Sequence, residues 1–372
     1  MERRELLKLA EYMLRLPTAP YHEHAVREFV IQYCRQLGLH VGEDRAGNVV
    51  VKHERPQAGR SRHRETAQPP LVFVAHMDHP GFEMLRGHRA EFLGGVPREM
   101  FARGVGVRMF GRDGICPMEI RRFIGSAWPK RKLVDLKAAG GGARATRKLR
   151  KGDFGMWNLP AFRVVGDRLH AAAIDDVLGS VVMLATLTEV LRRRLRTHVW
   201  CAFTRAEEVG FQGALALVRA NKIPKTAVVI SIEMSKQRPW ARIGDGPVVR
   251  VGDRSSIFNP GTTAFLLRAA ARCRERQPQF LVQRCLMDGG SCEATAFAGC
   301  GYRTGGLCLP LGNYHNIGKR RRPQAEYVSI RDLEQLLNLA VTACAEWRTL
   351  PATNAILKKR LLALAKSVPR PL

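Results

Sequence analysis

The sequence predicts an α/β protein with a mainly parallel, twisted sheet, helices on both faces, and a small inserted β-barrel-like domain. Three observations carry this expectation. Apolar runs of strand length alternate with stretches of helical periodicity, the pattern of strand–helix–strand units. Runs such as Leu71-Val72-Phe73-Val74 are apolar without alternation, as strands covered on both faces are. Between about 84 and 165 glycines recur, apolar runs shorten and helical periodicity fades, which suggests a small β domain. Residues 1–83 and 166–372 then form the α/β core, with 84–165 inserted into it.

Taken in order, residues 2–16 and 22–38 place Leu6, Leu9, Ala10 and Met13, then Val26, Phe29, Val30 and Tyr33, at helical spacing. Leu39-His40-Val41 and Val49-Val50-Val51 read as a hairpin about the turn Asp44-Arg45-Ala46-Gly47-Asn48. Residues 53–68 are polar and read as an exposed loop; Gly140-Gly141-Gly142 marks another. Past Gly166 come a helix from Val177 to Leu195, a strand Val199–Phe203 and a helix Gly213–Ala220. There follow a strand Ala227–Ile232, a helix Thr262–Cys273 and a strand at Phe280-Leu281-Val282. A short helix Ala294–Ala298, a strand Leu307–Leu311 and a last core helix Ile330–Trp347 complete the pattern. Residues 354–366 read as a basic amphipathic helix suited to packing or oligomer contact.

The chain has 372 residues, 45% of them hydrophobic, which is ample for a large core and for two domains. No stretch reaches the ~20 apolar residues of a membrane span. The amino terminus lacks the apolar core of a signal peptide, so a cytoplasmic protein is expected. The nine cysteines include no CxxC pair, and the spacings among Cys285, Cys292, Cys300 and Cys308 do not suit a zinc knuckle, so reduced thiols are expected. The net charge of +28 invites a nucleic-acid partner. The charge is spread over clusters such as Arg192-Arg193-Arg194 and Lys319-Arg320-Arg321-Arg322, however, and nucleic acid is not the expected partner.

Chemistry concentrates where strands end. In His76-Met77-Asp78, His76 and Asp78 share one side of a strand end, so one can bind an ion while the other holds the ring. The doubled acid Asp175-Asp176 opens a long apolar helix, where it could equally serve as a cap. Glu207-Glu208 follows a buried strand, and adjacent like charges there call for a shared cation or proton unless solvated. Glu233 ends an apolar strand, and His315 follows another. In order, these are the groups that two cations ~3.5–4 Å apart and a base for the attacking water require.

This ordered set resembles the co-catalytic di-zinc aminopeptidases of the glutamyl and tetrahedral aminopeptidase family, with its zinc-peptidase fold. The turn at Asp44–Asn48, the insertion after His76 and Lys151-Gly152-Asp153-Phe154 extend the likeness over nearly the whole chain. The resemblance implies two divalent metal ions, zinc with cobalt or manganese as alternatives. Asp175 would bridge them, with His76 and Glu233 on one and Glu208 and His315 on the other. Glu207 would be the general base and Asp78 the support of His76. It also implies peptide substrates, hydrolysis by a hydroxide held between two Lewis acids, and a homo-oligomer supported by the inserted domain. The chain departs from the family at Val177-Leu178 (commonly Arg), at Glu233 (commonly Asp), at Asn313-Tyr314 (often basic) and at Asp288–Glu293 (often Thr-Asp or Ser-Asp). These departures bear on substrate choice. The alternatives are a deacylase or dipeptidase on the same core, and a non-catalytic basic binding protein that retains the site.

Overall fold

The computed structural model describes residues 1–54, 69–125, 131–141 and 149–349, together with 359, 362 and 363. Most of the 53–68 loop, Gly142, the basic run 144–148 and nearly all of the 354–366 helix lie outside the described residues.

An eight-stranded sheet forms the core: β1 (His40–Glu43), β2 (Val49–His53), β3 (Leu71–His76), β12 (Val199–Thr204), β13 (Val228–Lys236), β14 (Val248–Asp253), β15 (Gln283–Met287) and β16 (Arg303–Leu311). Their spatial order is β1-β2-β12-β3-β13-β16-β14-β15. The pairs β12–β3, β3–β13, β13–β16 and β14–β15 are parallel; β1–β2, β2–β12 and β14–β16 are antiparallel. The central strands are therefore parallel, as their unbroken apolar runs predict, and every residue of β3 and β12 is buried.

Helices α1 (Arg3–Leu14), α2 (His24–Gln36), α3 (Val177–Arg192), α5 (Pro260–Arg276) and α7 (Ile330–Glu346) cover one face; α4 (Gln212–Arg219) and α6 (Glu293–Gly299) cover the other. Side chains alternate between the two cores: Phe73 and Ala75 of β3 enter the larger, Val72 and Val74 the smaller. Helix α3 is buried from Val177 to Val190, which explains why it is apolar all round. Ser329 caps α7 and Asn259 caps α5, each accepting a backbone N–H one turn on.

Strands β4 (Gly81–Arg86), β5 (Arg89–Leu93), β6 (Gly106–Gly111), β7 (Gly114–Phe123), β8 (Lys132–Ala138) and β9 (Phe154–Trp157) close into a barrel in the order β4-β5-β8-β7-β6-β9. Phe82, Phe92, Phe101 and Trp157 fill it, with ring centroids 4.9–6.4 Å apart. Burying such a cluster is worth several kcal/mol; truncation of one ring costs ~3–5 kcal/mol. A three-stranded sheet, β10 (Arg163–Val165), β11 (Arg168–Ala171) and β17 (Glu326–Ser329), adjoins the core.

Two sequence expectations shift. The strand anticipated at Phe280-Leu281-Val282 lies at β15, because pairing with β14 begins at Gln283; Phe280 instead packs into the core. Strand β13 continues past Glu233 to Lys236, carried by its ladder to Leu311 of β16. Strand β14 was not anticipated: the buried Arg250 interrupts its apolar run. None of the nine cysteines forms a disulfide, and no described helix is long and apolar enough to cross a membrane.

Candidate active site

Because β12, β3, β13 and β16 are parallel neighbours, their carboxyl ends share one edge of the sheet, where open α/β sheets place ligand sites. His76 is the last residue of β3, Glu207 and Glu208 follow β12, Glu233 lies near the end of β13 and His315 follows β16. Asp175 arrives from the segment that leads into α3, and its peptide bond to Asp176 is cis.

Six of the expected residues converge. His76 Nε2 stands 3.6 Å from Asp175 Oδ1, 3.6 Å from Glu233 Oε1 and 3.8 Å from Glu207 Oε2. On the other side of Asp175, His315 Nε2 stands 3.6 Å from Oδ2 and 3.1 Å from Glu208 Oε1. One carboxylate thus turns one oxygen to each imidazole. Three groups of ligand atoms lie within 4.8 Å of one another: His76 with Asp175 and Glu233, Asp175 with Glu208 and His315, and His76 with Glu207 and Glu208.

The donor set fits divalent cations. Separations of 3.6 Å are too long for hydrogen bonds. They match the ~3.3–3.6 Å between donors that share a tetrahedral ion at ~2.0–2.2 Å. Asp175 Oδ1 and Glu233 Oε2 are buried and accept no hydrogen bond from the described residues. Electrostatics points the same way. Burial pushes the Asp175 carboxyl up to about 8, with Glu233 and Glu208 adding to the rise. Burial also drives Glu207 well above the usual carboxylate range. Burial raises Glu208, but the imidazoles of His315, His76 and His79 together, with the hydrogen bond from His315, bring it below its ordinary value. His315, though buried, is raised to about 10 by Glu208. Buried acids crowded in this way relieve one another only through a cation or proton.

Asp78 lies beneath this set. Its Oδ1 is 3.4 Å from His76 Nδ1, and its backbone oxygen is 3.1 Å from the same nitrogen. Its carboxylate also accepts the backbone N–H groups of Glu207 at 3.0 Å and Glu208 at 3.1 Å. Asp176 does not cap α3 with its side chain; both its oxygens are buried with no hydrogen bond from the described residues, and burial drives the group well above its usual range.

Several residues were missed. Glu326, on β17, accepts the N–H groups of Ile174, Asp175 and His315 at 2.8, 3.1 and 2.8 Å. His79 places Nδ1 2.5 Å from Asp175 O and Nε2 2.9 Å from Asn316 Oδ1. Both neighbours of the motifs, His79 and Asn316, carried a signal in their positions; Glu326 carried none. Arg250 is buried with Nη1 3.8 Å from Glu233 Oε2, and its Nε and Nη1 lack hydrogen-bond partners among the described residues. It lines a narrow cleft beside Glu233 with Ser235, Lys236, Gly290 and Tyr314.

Comparison with known proteins agrees with this architecture. The chain is 23% identical over 364 residues to a protein of Acetivibrio thermocellus provisionally named an aminopeptidase, covering 92% of this chain and 99% of that one. Its fold is similar to that of an aminopeptidase from the archaeon Desulfurococcus kamchatkensis, with a TM-score of 0.72, 22% identity, and 92% and 95% of the two chains covered. It is also similar to the TET1 peptidase of Pyrococcus horikoshii, described as assembling into a tetrahedron or a large octahedral shell, with a TM-score of 0.71, 21% identity, and coverage of 92% and 99%. A model of the M42 glutamyl aminopeptidase family matches residues 126–339. The chain is a peptide hydrolase and belongs to the M42 glutamyl aminopeptidase family.

Proposed function

We propose that the chain removes amino-terminal residues from peptides at a site for two divalent cations. The observation that carries this reading is Asp175, whose two oxygens stand 3.6 Å from His76 and 3.6 Å from His315. On this reading His76 and Glu233 would hold one ion and Glu208 and His315 the other, with Asp175 shared between them. Zinc suits these nitrogen and carboxylate donors; cobalt and manganese are the alternatives. When bound, such ions polarise a scissile carbonyl and make a water nucleophilic near neutral pH.

The protein's own groups do the rest. Glu207 takes a proton from the attacking water and passes it to the leaving amine. Its Oε2 stands 3.8 Å from His76 Nε2, beside the cluster. Asp78 fixes the backbone of Glu207 and Glu208. In domain terms, 1–83 with 166–372 is the catalytic unit, and 84–165 serves assembly and substrate access. By analogy with the Pyrococcus horikoshii peptidase, the chain forms a homo-oligomer.

The test is a panel of aminoacyl and N-acylated substrates with zinc, cobalt or manganese restored to chelator-stripped protein. Release of amino-terminal residues, lost on chelation, supports the reading. Turnover confined to N-acylated amino acids would favour a deacylase. Glu207→Gln should abolish turnover while metal stoichiometry stays at two per chain. Light scattering on the same sample reads the oligomer.

A further inference from the structure

Four consecutive backbone N–H groups, Arg205 to Glu208, are each accepted by a side chain from elsewhere in the chain. Asn48 Oδ1 takes Arg205 at 3.0 Å, Glu23 Oε1 takes Ala206 at 2.9 Å, and Asp78 takes Glu207 and Glu208. The segment turns sharply after β12: Ala206 sits at φ 51°, a left-handed conformation that an alanine adopts only when its surroundings impose it.

Glu23 stands at the centre of that imposition. Its side chain is fully buried at the start of α2, 183 residues before Ala206 in sequence. Its Oε2 accepts Arg205 Nε at 2.6 Å. Arg205 is pinned in turn, donating from Nη1 to Ala46 O and from Nη2 to Tyr21 O, each at 2.8 Å. Gly47 leaves room for this guanidinium, since a Cβ there would stand 2.7 Å from Nη1. A buried ion pair adds little net stability over well-packed apolar residues. Glu23 Oε1 also accepts the Tyr21 N–H at 2.9 Å, so the pair ties the turn after β12 to the segments at Tyr21 and Ala46.

We propose that Glu23, clamped by Arg205, is a positioning residue for the peptidase reaction. It sets the backbone at Ala206 and so the place of the Glu207 carboxyl, without touching substrate or reacting atoms. The proposal rests on Glu207 as the proton-transfer group. A displacement of about 1 Å at such a group can cost ~10²-fold in rate.

The experiment compares Glu23→Ala, Glu23→Gln and Arg205→Lys with Glu207→Gln in the full-length chain, reading kcat, KM, metal stoichiometry and thermal midpoint. Glu23→Ala should lower kcat about 10²-fold, leave KM within threefold and keep its metal. Glu23→Gln, whose amide oxygen still accepts the Ala206 N–H, should recover most of that loss. Should Glu23→Ala not fold, Arg205→Lys decides: it keeps the charge but loses the fork of donors. A tenfold fall in its kcat at an unchanged midpoint supports the proposal, and an unchanged kcat overturns it. Loss of metal in step with kcat, or equal losses in Glu23→Ala and Glu23→Gln, also overturns it. Inactive Glu207→Gln beside fully active Glu23→Ala sinks the positioning role alone, whereas active Glu207→Gln sinks the assignment of the base.

Discussion

Asp78 Oδ1 accepts the backbone N–H of Glu207 at 3.0 Å while standing 3.4 Å from His76 Nδ1. One carboxylate therefore ties the end of β3 to the segment after β12. Asp78→Asn keeps the shape but replaces one acceptor oxygen by a donor facing an N–H. Loss of a supporting group of this kind typically costs 10–100-fold in metal affinity or activity. A metal titration paired with kcat measurement checks this; wild-type values in both would show that the bridge is dispensable.

Removal of metal should destabilise the protein as well as silence it. Without cations Asp175 Oδ1 and Glu233 Oε2 are buried with no hydrogen bond from the described residues. An ion that binds only the folded state adds about 2.7 kcal/mol at a free concentration of one hundred times its Kd. The thermal midpoint should rise by several degrees when zinc is titrated into stripped protein. Glu233→Ala should flatten that response.

Glu326 accepts three N–H groups, including those of the neighbouring site residues Asp175 and His315. Glu326→Ala strands all three in a dry interior, at ~1–3 kcal/mol per unsatisfied donor. Urea unfolding should show a loss of at least about 3 kcal/mol, and zinc affinity should weaken along with it. A loss below about 1 kcal/mol would mean that water enters and replaces the carboxylate.

Gly213 tests packing against helix propensity. On propensity alone, Gly→Ala in a helix stabilises by ~1 kcal/mol. A Cβ at Gly213 of α4 would meet Asn48 Oδ1 at 2.4 Å and Arg205 N at 2.5 Å, which the backbone cannot yield cheaply. Gly213→Ala should therefore lower both stability, by ~1–3 kcal/mol, and kcat. A more stable variant with normal kcat would contradict the tight approach.

The barrel carries its own pH dependence. Asp135 is buried, which by itself raises its carboxyl, yet hydrogen bonds from Arg122 at 2.7 Å and Arg89 at 3.2 Å hold it below the ordinary value. A depressed carboxyl stabilises the fold above the unfolded value of about 3.9, and this contribution disappears as pH falls through the lower folded value. The midpoint difference between wild type and Asp135→Asn should be largest near pH 6–7 and shrink below about pH 4. A difference that stays constant down to pH 3 would show that the pair contributes nothing through charge.

Much of this protein is legible without coordinates. The largely apolar runs of β3, β12, β13 and β16 mark parallel strands covered on both faces, and residues that follow such runs must gather at one edge of the sheet. That is why His76, Asp175, Glu207, Glu208, Glu233 and His315 could be named from their places after strands and before a helix. The physical cause is local: side-chain periodicity and strand direction are written within a few residues.

What only the tertiary structure decided is how that set is held. Glu23, Asn48, Asp78 and Glu326 reach backbone amides 183, 157, 129 and 151 residues away, and nothing in their own neighbourhoods announces it. Arg250 looks like an error in an apolar strand until Glu233 is found beside it. Strand β15 begins at Gln283 because its partner, not its hydropathy, sets where pairing starts. Local patterns choose the elements and their order; hydrogen bonds between distant segments, which depend on distance in space and not along the chain, determine the angles at which the chemistry is presented.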